Sequence, residues 1–297
     1  MKKFIFKIFA FIVTTILMFV LFWMLVCSTR DELMKLPNNE QIVFLGNSHI
    51  ECSVNDTIVK NSFNFARSAE KMEFIYSKVK LLDIYNPQID TIIIGYDNVI
   101  FRQRSDTTFA PILYSPYFFD TYDIDDIFEI FKSSSFGYIE NHITHPFNWL
   151  KLYELLSPFY LRSVNITKLN NIGGYLYLKR DKLNEDIKKR SNFRERRYID
   201  WLSIYFLDKT IEYCNKNNLT LIFMCPPQHN KCFLDSIYYK QIYKEKYSDI
   251  PFYDFRDLQL PDSCFGDLDH LNYKGAKVFS EYLEKEVLHK QNYIQQQ

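Results

Sequence analysis

The chain is poor in glycine, carries no excess of either charge and has no closely spaced cysteine pair. Only 7 of its 297 residues are glycine, and it contains neither a Walker-type loop nor a GxGxxG motif, so the common phosphate-binding loops are not indicated. Lysine plus arginine and aspartate plus glutamate each total 36. Nucleic-acid-binding proteins usually show clustered basic surfaces, so we expect no nucleic-acid partner.

The histidines and cysteines do not predict a metal site. No C-x-x-C occurs, which argues against zinc-ribbon and thioredoxin-like motifs. His142, His145 and His229 lack the spacing to carboxylates or thiols that metal coordination needs. We therefore expect no metal and no cofactor. Cys225 and Cys232 could form a disulfide in an oxidising compartment, but unpaired core cysteines are an equally good interpretation.

The longest apolar stretch lies near the N-terminus. An uncharged run over residues 8–27 follows a tail, residues 1–7, that contains three lysines. Twenty helical residues rise about 30 Å, which matches the hydrocarbon core of a bilayer. A cleaved signal peptide is the alternative, but the run is long and no small-residue cleavage site follows it.

This pattern predicts a single-pass membrane protein. The positive-inside rule places residues 1–7 in the cytoplasm and the main domain in the periplasm or another extracytoplasmic space. Residues 28–40 are polar and are interpreted as a stalk between the membrane anchor and the domain.

Beyond residue 40, short apolar runs alternate with amphipathic segments. The apolar runs predict buried strands at 41–45, 62–66, 90–95, 219–225 and 251–254. The amphipathic segments predict helices at 69–83, 196–217, 233–247 and 273–289. This alternation predicts a three-layer α/β/α domain over 41–290 with a mostly parallel sheet, followed by a tail at 291–297.

The stretch at about 101–194 interrupts this alternation and is interpreted as a helical or mixed insertion. Its charged end, 179–194, is typical of a solvated helix face. Its aromatic residues could form a sugar-stacking wall, although packing within the insertion is their more usual role; they include Tyr114, Tyr117, Phe118, Phe119, Tyr122, Trp149 and Tyr153.

Two short motifs at opposite ends of the domain carry the candidate chemistry. Ser48 follows the first predicted strand, and Asp267 and His270 form an Asp-x-x-His near the C-terminus. A serine hydroxyl needs a base, and the base needs a third group to orient it. We therefore predict Ser48 as nucleophile, His270 as base and Asp267 as the orienting carboxylate. Asp269 is the less favoured alternative to Asp267.

His49 is also close to the predicted nucleophile in sequence. Because it follows Ser48 directly, its side chain is expected to point away from the serine hydroxyl. It could line the mouth of the pocket, but we do not predict it as the base.

The two motifs resemble those of the SGNH/GDSL hydrolase superfamily. The closer resemblance is to its membrane-anchored bacterial branch, near polysaccharide O-acetyltransferases and esterases. The family's first block is matched by Gly46-Asn47-Ser48 and its last by Asp267 and His270. The middle blocks depart from the pattern. Asn64-Phe65-Ala66 lacks the expected glycine, and in Gly95-Tyr96-Asp97-Asn98 the asparagine comes one place late.

The resemblance implies which groups bind the oxyanion or substrate. Asn98, Asn64 and the backbone N–H of Ala66 are the candidates, together with the backbone N–H of Ser48. Asp97 stands in register with the family's asparagine, but an ionised carboxylate is a poor hydrogen-bond donor.

The resemblance also implies an extracytoplasmic serine esterase or O-acyltransferase. Its expected substrates are acyl esters, with acetyl as the expected acyl group, on envelope or exported polysaccharide. The implied partners are the inner membrane, an acylated carbohydrate and a multi-span acyltransferase. The alternative is a catalytically weak or inactive envelope protein of this fold that binds glycan or an assembly partner.

Overall fold

The computed structural model describes residues 2–36, 39–101, 119–133, 174–189, 199–232 and 236–288. Most of the predicted insertion lies outside these ranges. The same is true of His142, His145, the 291–297 tail and five of the aromatic residues considered for sugar stacking, namely Tyr114, Tyr117, Phe118, Trp149 and Tyr153.

Strands and helices alternate through the described domain, as the hydrophobic pattern predicts. The strands are β1 (Ile42–Leu45), β2 (Ser62–Asn64), β3 (Thr91–Gly95), β4 (Thr220–Cys225) and β5 (Phe252–Asp254). The α-helices are α1 (Lys2–Leu33), α2 (Ser48–Ser53), α3 (Met72–Tyr85), α4 (Ile124–Ser133), α5 (Leu183–Lys189), α6 (Trp201–Lys216), α7 (Ser236–Lys246) and α8 (Tyr273–Tyr282). Short 3-10 turns lie at Phe119–Thr121 and Asp262–Cys264, and a π-helical turn at Leu283–Leu288 continues α8.

The five strands form one parallel sheet in the order β2-β1-β3-β4-β5. The chain first adds β2 on one side of β1 and then crosses over to add β3 on the other side. The carboxyl ends of β1 and β3 therefore flank the point where the strand order reverses. In open parallel sheets this point forms the crevice in which ligands bind.

Both faces of the sheet are covered by helices, which gives the predicted three layers. Successive strand residues face opposite sides, so Val43 and Leu45 enter one core while Phe44 enters the other. The first core includes residues of α3, α6 and α7, and the second includes residues of α2, α5 and α8. Burial on both faces explains why the strands read as continuous apolar runs.

The N-terminal helix is longer than the apolar run that predicts it. It extends from Lys2 to Leu33, and its apolar side chains are exposed at consecutive positions, with Phe4, Ile5 and Phe6 at 67%, 58% and 71%. Within the described part of the chain, no helix has the length and apolarity needed to cross a bilayer. The helix is therefore present, but the predicted transmembrane segment over 8–27 is not confirmed.

The charged end of the insertion agrees with its prediction only in part. The helix α5 is charged and largely exposed, as predicted, but it begins only at Leu183, and residues 174–182 belong to no helix or strand. Backbone hydrogen bonds hold residues 174–182 against the domain: Leu176 N–H donates to Glu51 O and Lys182 N–H donates to Gly266 O. The segment therefore runs beside both predicted catalytic motifs, which a solvated helix face would not do.

Candidate active site

A tight turn at the end of β1 presents Ser48. Gly46 has a φ of +150°, and a Cβ there would lie 2.9 Å from Ile50 Cγ1 and 3.3 Å from the backbone of Gly95. Only glycine allows this conformation together with such close approach of the ends of β1 and β3. Asn47 then caps α2, since its side chain accepts the N–H of His49 at 2.9 Å. Ser48 is the first residue of α2 and is partly exposed.

A second turn fixes the Asp-x-x-His motif. The Oδ1 atom of Asp267 accepts the backbone N–H groups of Asp269 at 2.9 Å and His270 at 2.8 Å. Asn272 caps α8 and donates its side-chain amide to two backbone carbonyls, those of Ser263 and Phe265. These bonds close the loop on itself, so the His270 side chain is held by a rigid backbone.

Ser48, His270 and Asp267 are joined by hydrogen bonds. His270 Nε2 lies 2.8 Å from Ser48 Oγ, although 222 positions separate the two residues. His270 Nδ1 lies 2.9 and 3.1 Å from the two carboxylate oxygens of Asp267. With the Nδ1 proton donated to Asp267, the lone pair of Nε2 faces the serine hydroxyl. This is the geometry in which a histidine can accept a proton from a serine.

Asp267 has a further partner that the sequence did not predict. Arg180 Nη1 lies 2.5 Å from Asp267 Oδ2, and Asp267 is buried while Arg180 is partly exposed. Burial by itself raises the pKa of Asp267, but the hydrogen bonds from His270 and Arg180 outweigh it and hold that pKa well below its usual range. Asp267 is therefore ionised, as a carboxylate that orients an imidazole must be.

A buried ion pair lies directly behind the candidate base. His49 Nδ1 is 2.5 Å from Asp97 Oδ2, and both side chains are almost fully buried. The His49 ring packs edge-on against His270, with 5.0 Å between ring centroids. The sequence did not predict the contact of His49 with His270 or its pairing with Asp97.

The two members of this pair stabilise each other's charged forms. Burial lowers the pKa of His49, but the carboxylate of Asp97 outweighs it and raises the pKa above its ordinary value. Burial raises the pKa of Asp97, but the imidazolium of His49 and the N–H groups of Val99 and Ile100 outweigh it and lower the pKa. At and below about pH 6.5 the two shifts therefore favour an imidazolium bound to a carboxylate.

The predicted oxyanion donors after β2 are engaged elsewhere. The side-chain amide of Asn64 donates to Ile50 O at 3.1 Å and to Val54 O at 2.7 Å, and its oxygen accepts the N–H of Ala66 at 3.0 Å. Asn64 is fully buried. In this structure it ties the end of α2 to the loop after β2, so neither its amide nor the Ala66 N–H is directed to a ligand.

The residues after β3 also differ in role from the family asparagine. Asp97 accepts the N–H of Val99 at 2.8 Å and pairs with His49, so it acts as an acceptor rather than as an oxyanion donor. Asn98 lies next to it, partly buried in the same turn. Ser48 itself begins α2, and the first N–H groups of a helix have no intrahelical partner.

The cysteines are thiols in this structure. All six are free, so the disulfide considered between Cys225 and Cys232 is not formed. Cys232 Sγ instead lies 3.0 Å from Asp269 Oδ1. Among the described residues, no group of three histidine, cysteine or acidic side chains is arranged to hold a metal ion.

Comparisons with known proteins give limited similarity. One family model, which carries no description, matches residues 153–292, less than half of the chain. A search of the curated proteins gives no match. Among solved structures, a protein from Bacteroides fragilis described as an acylhydrolase is 12% identical with a TM-score of 0.39, and the match covers 89% of this chain and 94% of that chain. A GDSL-like lipase from Bacteroides thetaiotaomicron is 11% identical with a TM-score of 0.35, covering 87% of this chain and 92% of that chain.

Proposed function

We propose that this protein is a serine esterase or O-acyltransferase of the SGNH/GDSL type. The observation that supports this proposal most strongly is the continuous hydrogen bonding from Ser48 Oγ through His270 to Asp267. The three groups lie at the carboxyl edge of a parallel sheet, and Ser48 and His270 are both partly accessible. Neither motif alone would distinguish a catalytic serine from an ordinary turn residue.

In the proposed reaction, Ser48 Oγ attacks the carbonyl carbon of an acyl ester while its proton passes to His270 Nε2. Asp267 stabilises the resulting imidazolium through Nδ1. The tetrahedral intermediate collapses as His270 returns the proton to the departing alcohol oxygen, and an acyl-Ser48 remains. Water or a second hydroxyl then attacks this acyl group, again with His270 as base, and Ser48 is released.

The oxyanion of the intermediate needs hydrogen-bond donors. The backbone N–H of Ser48 is our first candidate because it belongs to the first turn of α2. Asn98, in the turn after β3, is the second. Loss of one such donor typically costs about 3 to 4 kcal/mol of barrier.

A fluorophosphonate probe tests the proposal directly. The probe should label the purified full-length protein at Ser48, detected as a mass shift on the peptide that contains it. The Ser48→Ala and His270→Ala variants should lose labelling and hydrolysis of p-nitrophenyl acetate. Ser248→Ala is a matched control, because Ser248 is an exposed serine in the turn after α7. Labelling that persists in Ser48→Ala would remove Ser48 from the proposed role.

The substrate class and location form a second part of the proposal. We infer that the substrates are acyl esters, with acetyl as the expected acyl group, of envelope or exported polysaccharide. We also infer that α1 attaches the protein to the inner membrane, with the domain on the extracytoplasmic side. The apolar side chains exposed along consecutive positions of α1 support attachment, because lipid can cover a helix on all sides. Recovery of the full chain in the membrane fraction, with the domain digested by protease added outside the inner membrane, is the expected result.

Hydrolysis and transfer use the same acyl-enzyme and differ only in the acceptor. A multi-span membrane acyltransferase is the partner we propose for transfer, since it would supply acyl groups across the membrane. Purified protein that releases acetate from an acetylated sugar without any partner would favour the esterase. A protein that becomes acylated at Ser48 but releases the acyl group only when a sugar hydroxyl is added would favour the transferase.

A second candidate is a catalytically weak or inactive glycan-binding protein of the same fold. The specific observation in its favour is that Asn64 and the Ala66 N–H are engaged within the domain and Asp97 is an acceptor. With an incomplete oxyanion hole, the nucleophile and base would be in place, but the activation barrier for acyl transfer to Ser48 would remain high. The protein would then bind glycan with no labelling of Ser48 by the fluorophosphonate.

A further inference from the structure

A polar cleft opens beside the Ser48–His270–Asp267 array, at the carboxyl ends of β4 and β5. One wall is formed by residues of the loop after β4, from Gln228 to Cys232, and the other by residues 256–260 after β5. Asp262 and Phe265 lie at one end. Together with its open mouth the cleft encloses about 430 Å³, so it is a depression open to solvent rather than a sealed cavity.

The wall after β4 contacts residues adjacent to the catalytic array. The amide nitrogen of Gln228 lies 3.4 Å from His49 Nδ1, which is a packing contact because Nδ1 donates its proton to Asp97, and His49 follows Ser48 directly. Cys232 Sγ contacts Asp269, the residue before His270. The backbone N–H of His229 donates to Leu268 O at 3.2 Å. The wall of the cleft therefore contacts both catalytic motifs.

The side chains around the cleft are suited to hydroxyl groups. Asn230 and Gln259 present exposed amides, each of which can both donate and accept hydrogen bonds, as a hydroxyl can. Arg256 adds donors, and Asp257 adds acceptors. Charges of both signs are present, so the cleft does not select an anion such as phosphate. A long acyl chain would require a mainly apolar lining, which small-molecule pockets usually have and this cleft does not.

We propose that this cleft binds the alcohol part of the substrate, a neutral sugar or a related polyol, while the acyl group is held at Ser48. This inference rests on the proposed function, which it deepens by assigning the polar part of the ester to one side of the active site. In transfer, the same cleft would hold the hydroxyl acceptor.

Two acetate esters that differ only in their alcohol part test this inference on the full-length protein. The monoester 6-O-acetylglucose carries a sugar with free hydroxyl groups, and p-nitrophenyl acetate carries an aromatic alcohol. The double variant Asn230→Ala/Gln259→Ala removes two exposed amides and leaves the core intact. Two lost hydrogen bonds should raise KM for the sugar ester at least about fivefold. The value of kcat/KM for p-nitrophenyl acetate should change less than about twofold.

The control is Gln241→Ala, which removes an exposed amide from α7, away from the cleft residues. It should leave KM for the sugar ester and kcat/KM for p-nitrophenyl acetate unchanged. Equal losses on the two substrates in the double variant, or no loss on either, would overturn the assignment of the cleft. So would a wild-type protein that hydrolyses p-nitrophenyl acetate but not the sugar ester, and that result would leave the proposed esterase standing.

A binding measurement separates this inference from catalysis. The monoester 6-O-acetylglucose should bind the Ser48→Ala variant, measured by titration calorimetry, and at least about fivefold more weakly when Asn230 and Gln259 are also alanine. Absence of fluorophosphonate labelling in the wild type, with this binding retained, would refute the enzymatic function but support the cleft. Undetectable binding to Ser48→Ala would refute the cleft.

Discussion

Replacement of Asp97 by asparagine should destabilise the protein, and more at pH 5 than at pH 8. The carboxylate pairs with the buried His49 at 2.5 Å and accepts the Val99 N–H. An asparagine oxygen can retain the bond to Val99, so the substitution removes mainly the charge. Without this carboxylate, burial is the largest remaining influence and lowers the pKa of His49, opposed only by the smaller effects of Asp269 and Asp267.

The expected magnitudes follow from proton linkage. In the wild type the pKa of His49 is raised, so its contribution to stability is complete below about pH 6.5 and is lost as pH rises through the folded-state pKa. The pKa of Asp97 is lowered, so its contribution is present above about pH 3.9 and is lost as pH falls through the folded-state pKa. The pair therefore stabilises most between about pH 4 and 6.5.

In the Asp97→Asn variant at pH 8, His49 is neutral in both states, and the loss is that of one charged hydrogen bond, about 2 kcal/mol. At pH 5 the unfolded chain binds a proton at His49 that the folded variant resists. Each pH unit below about 6.5 adds about 1.4 kcal/mol, which gives about 2 kcal/mol more. The total of about 4 kcal/mol agrees with the cost of leaving a buried charge unpaired.

Urea unfolding in mild detergent, followed by circular dichroism at pH 5 and pH 8, measures both values. Asp254→Asn is the matched control, because Asp254 pairs with Lys240 at the surface at 2.8 Å. It should cost less than about 1 kcal/mol at either pH. A loss for Asp97→Asn that is equal at the two pH values, or larger at pH 8, would refute a charged His49–Asp97 pair.

Two further substitutions test the candidate catalytic loop and the turn that presents Ser48. Arg180→Gln should lower kcat for p-nitrophenyl acetate about fivefold with little change in KM, because the partly exposed guanidinium contributes about 1 kcal/mol to holding Asp267. The control Lys179→Gln, at the exposed neighbouring residue, should have no effect on kcat. Equal rates for the two variants would contradict the role of Arg180. Gly46→Ala should cost about 3 kcal/mol in urea unfolding, since it combines an unfavourable φ with a 2.9 Å approach to Ile50. Gly174 has a similar φ of +141°, but no atom lies within 4 Å of a Cβ added there. If Gly174→Ala lowered the free energy of unfolding as much as Gly46→Ala does, crowding at Gly46 would contribute nothing.

The strands of the domain were predictable because their signal is local. A strand buried on both faces is apolar along its buried length, and β3 and β4 show this at every position after their first residue, Thr91 in β3 and Thr220 in β4. Ser48 and His270 were also predictable as a pair, since each follows a recognisable local pattern. The helix at α2 was not predicted, because its six residues are too few to show helical periodicity.

The contacts of Arg180, His49 and Asn64 were not predictable in the same way. Arg180 belongs to a charged run whose ordinary explanation is a solvated helix, yet it is bonded to a carboxylate 87 positions away. His49 was expected to point away from Ser48, and the partner with which it pairs comes from the end of β3, 48 positions away. Asn64 was expected to face a ligand and instead satisfies backbone carbonyls of α2.

The amino-acid sequence by itself determined the alternation of strands and helices, the glycine turn that presents Ser48 and the aspartate three residues before His270. Each of these depends on neighbours within a few positions, where backbone geometry alone decides the outcome. Only the tertiary structure decided which charged side chains meet behind the candidate base and which polar groups line the cleft beside it. Those contacts join loops from different strands, and the relative position of these loops is set by packing of the whole sheet rather than by any local pattern.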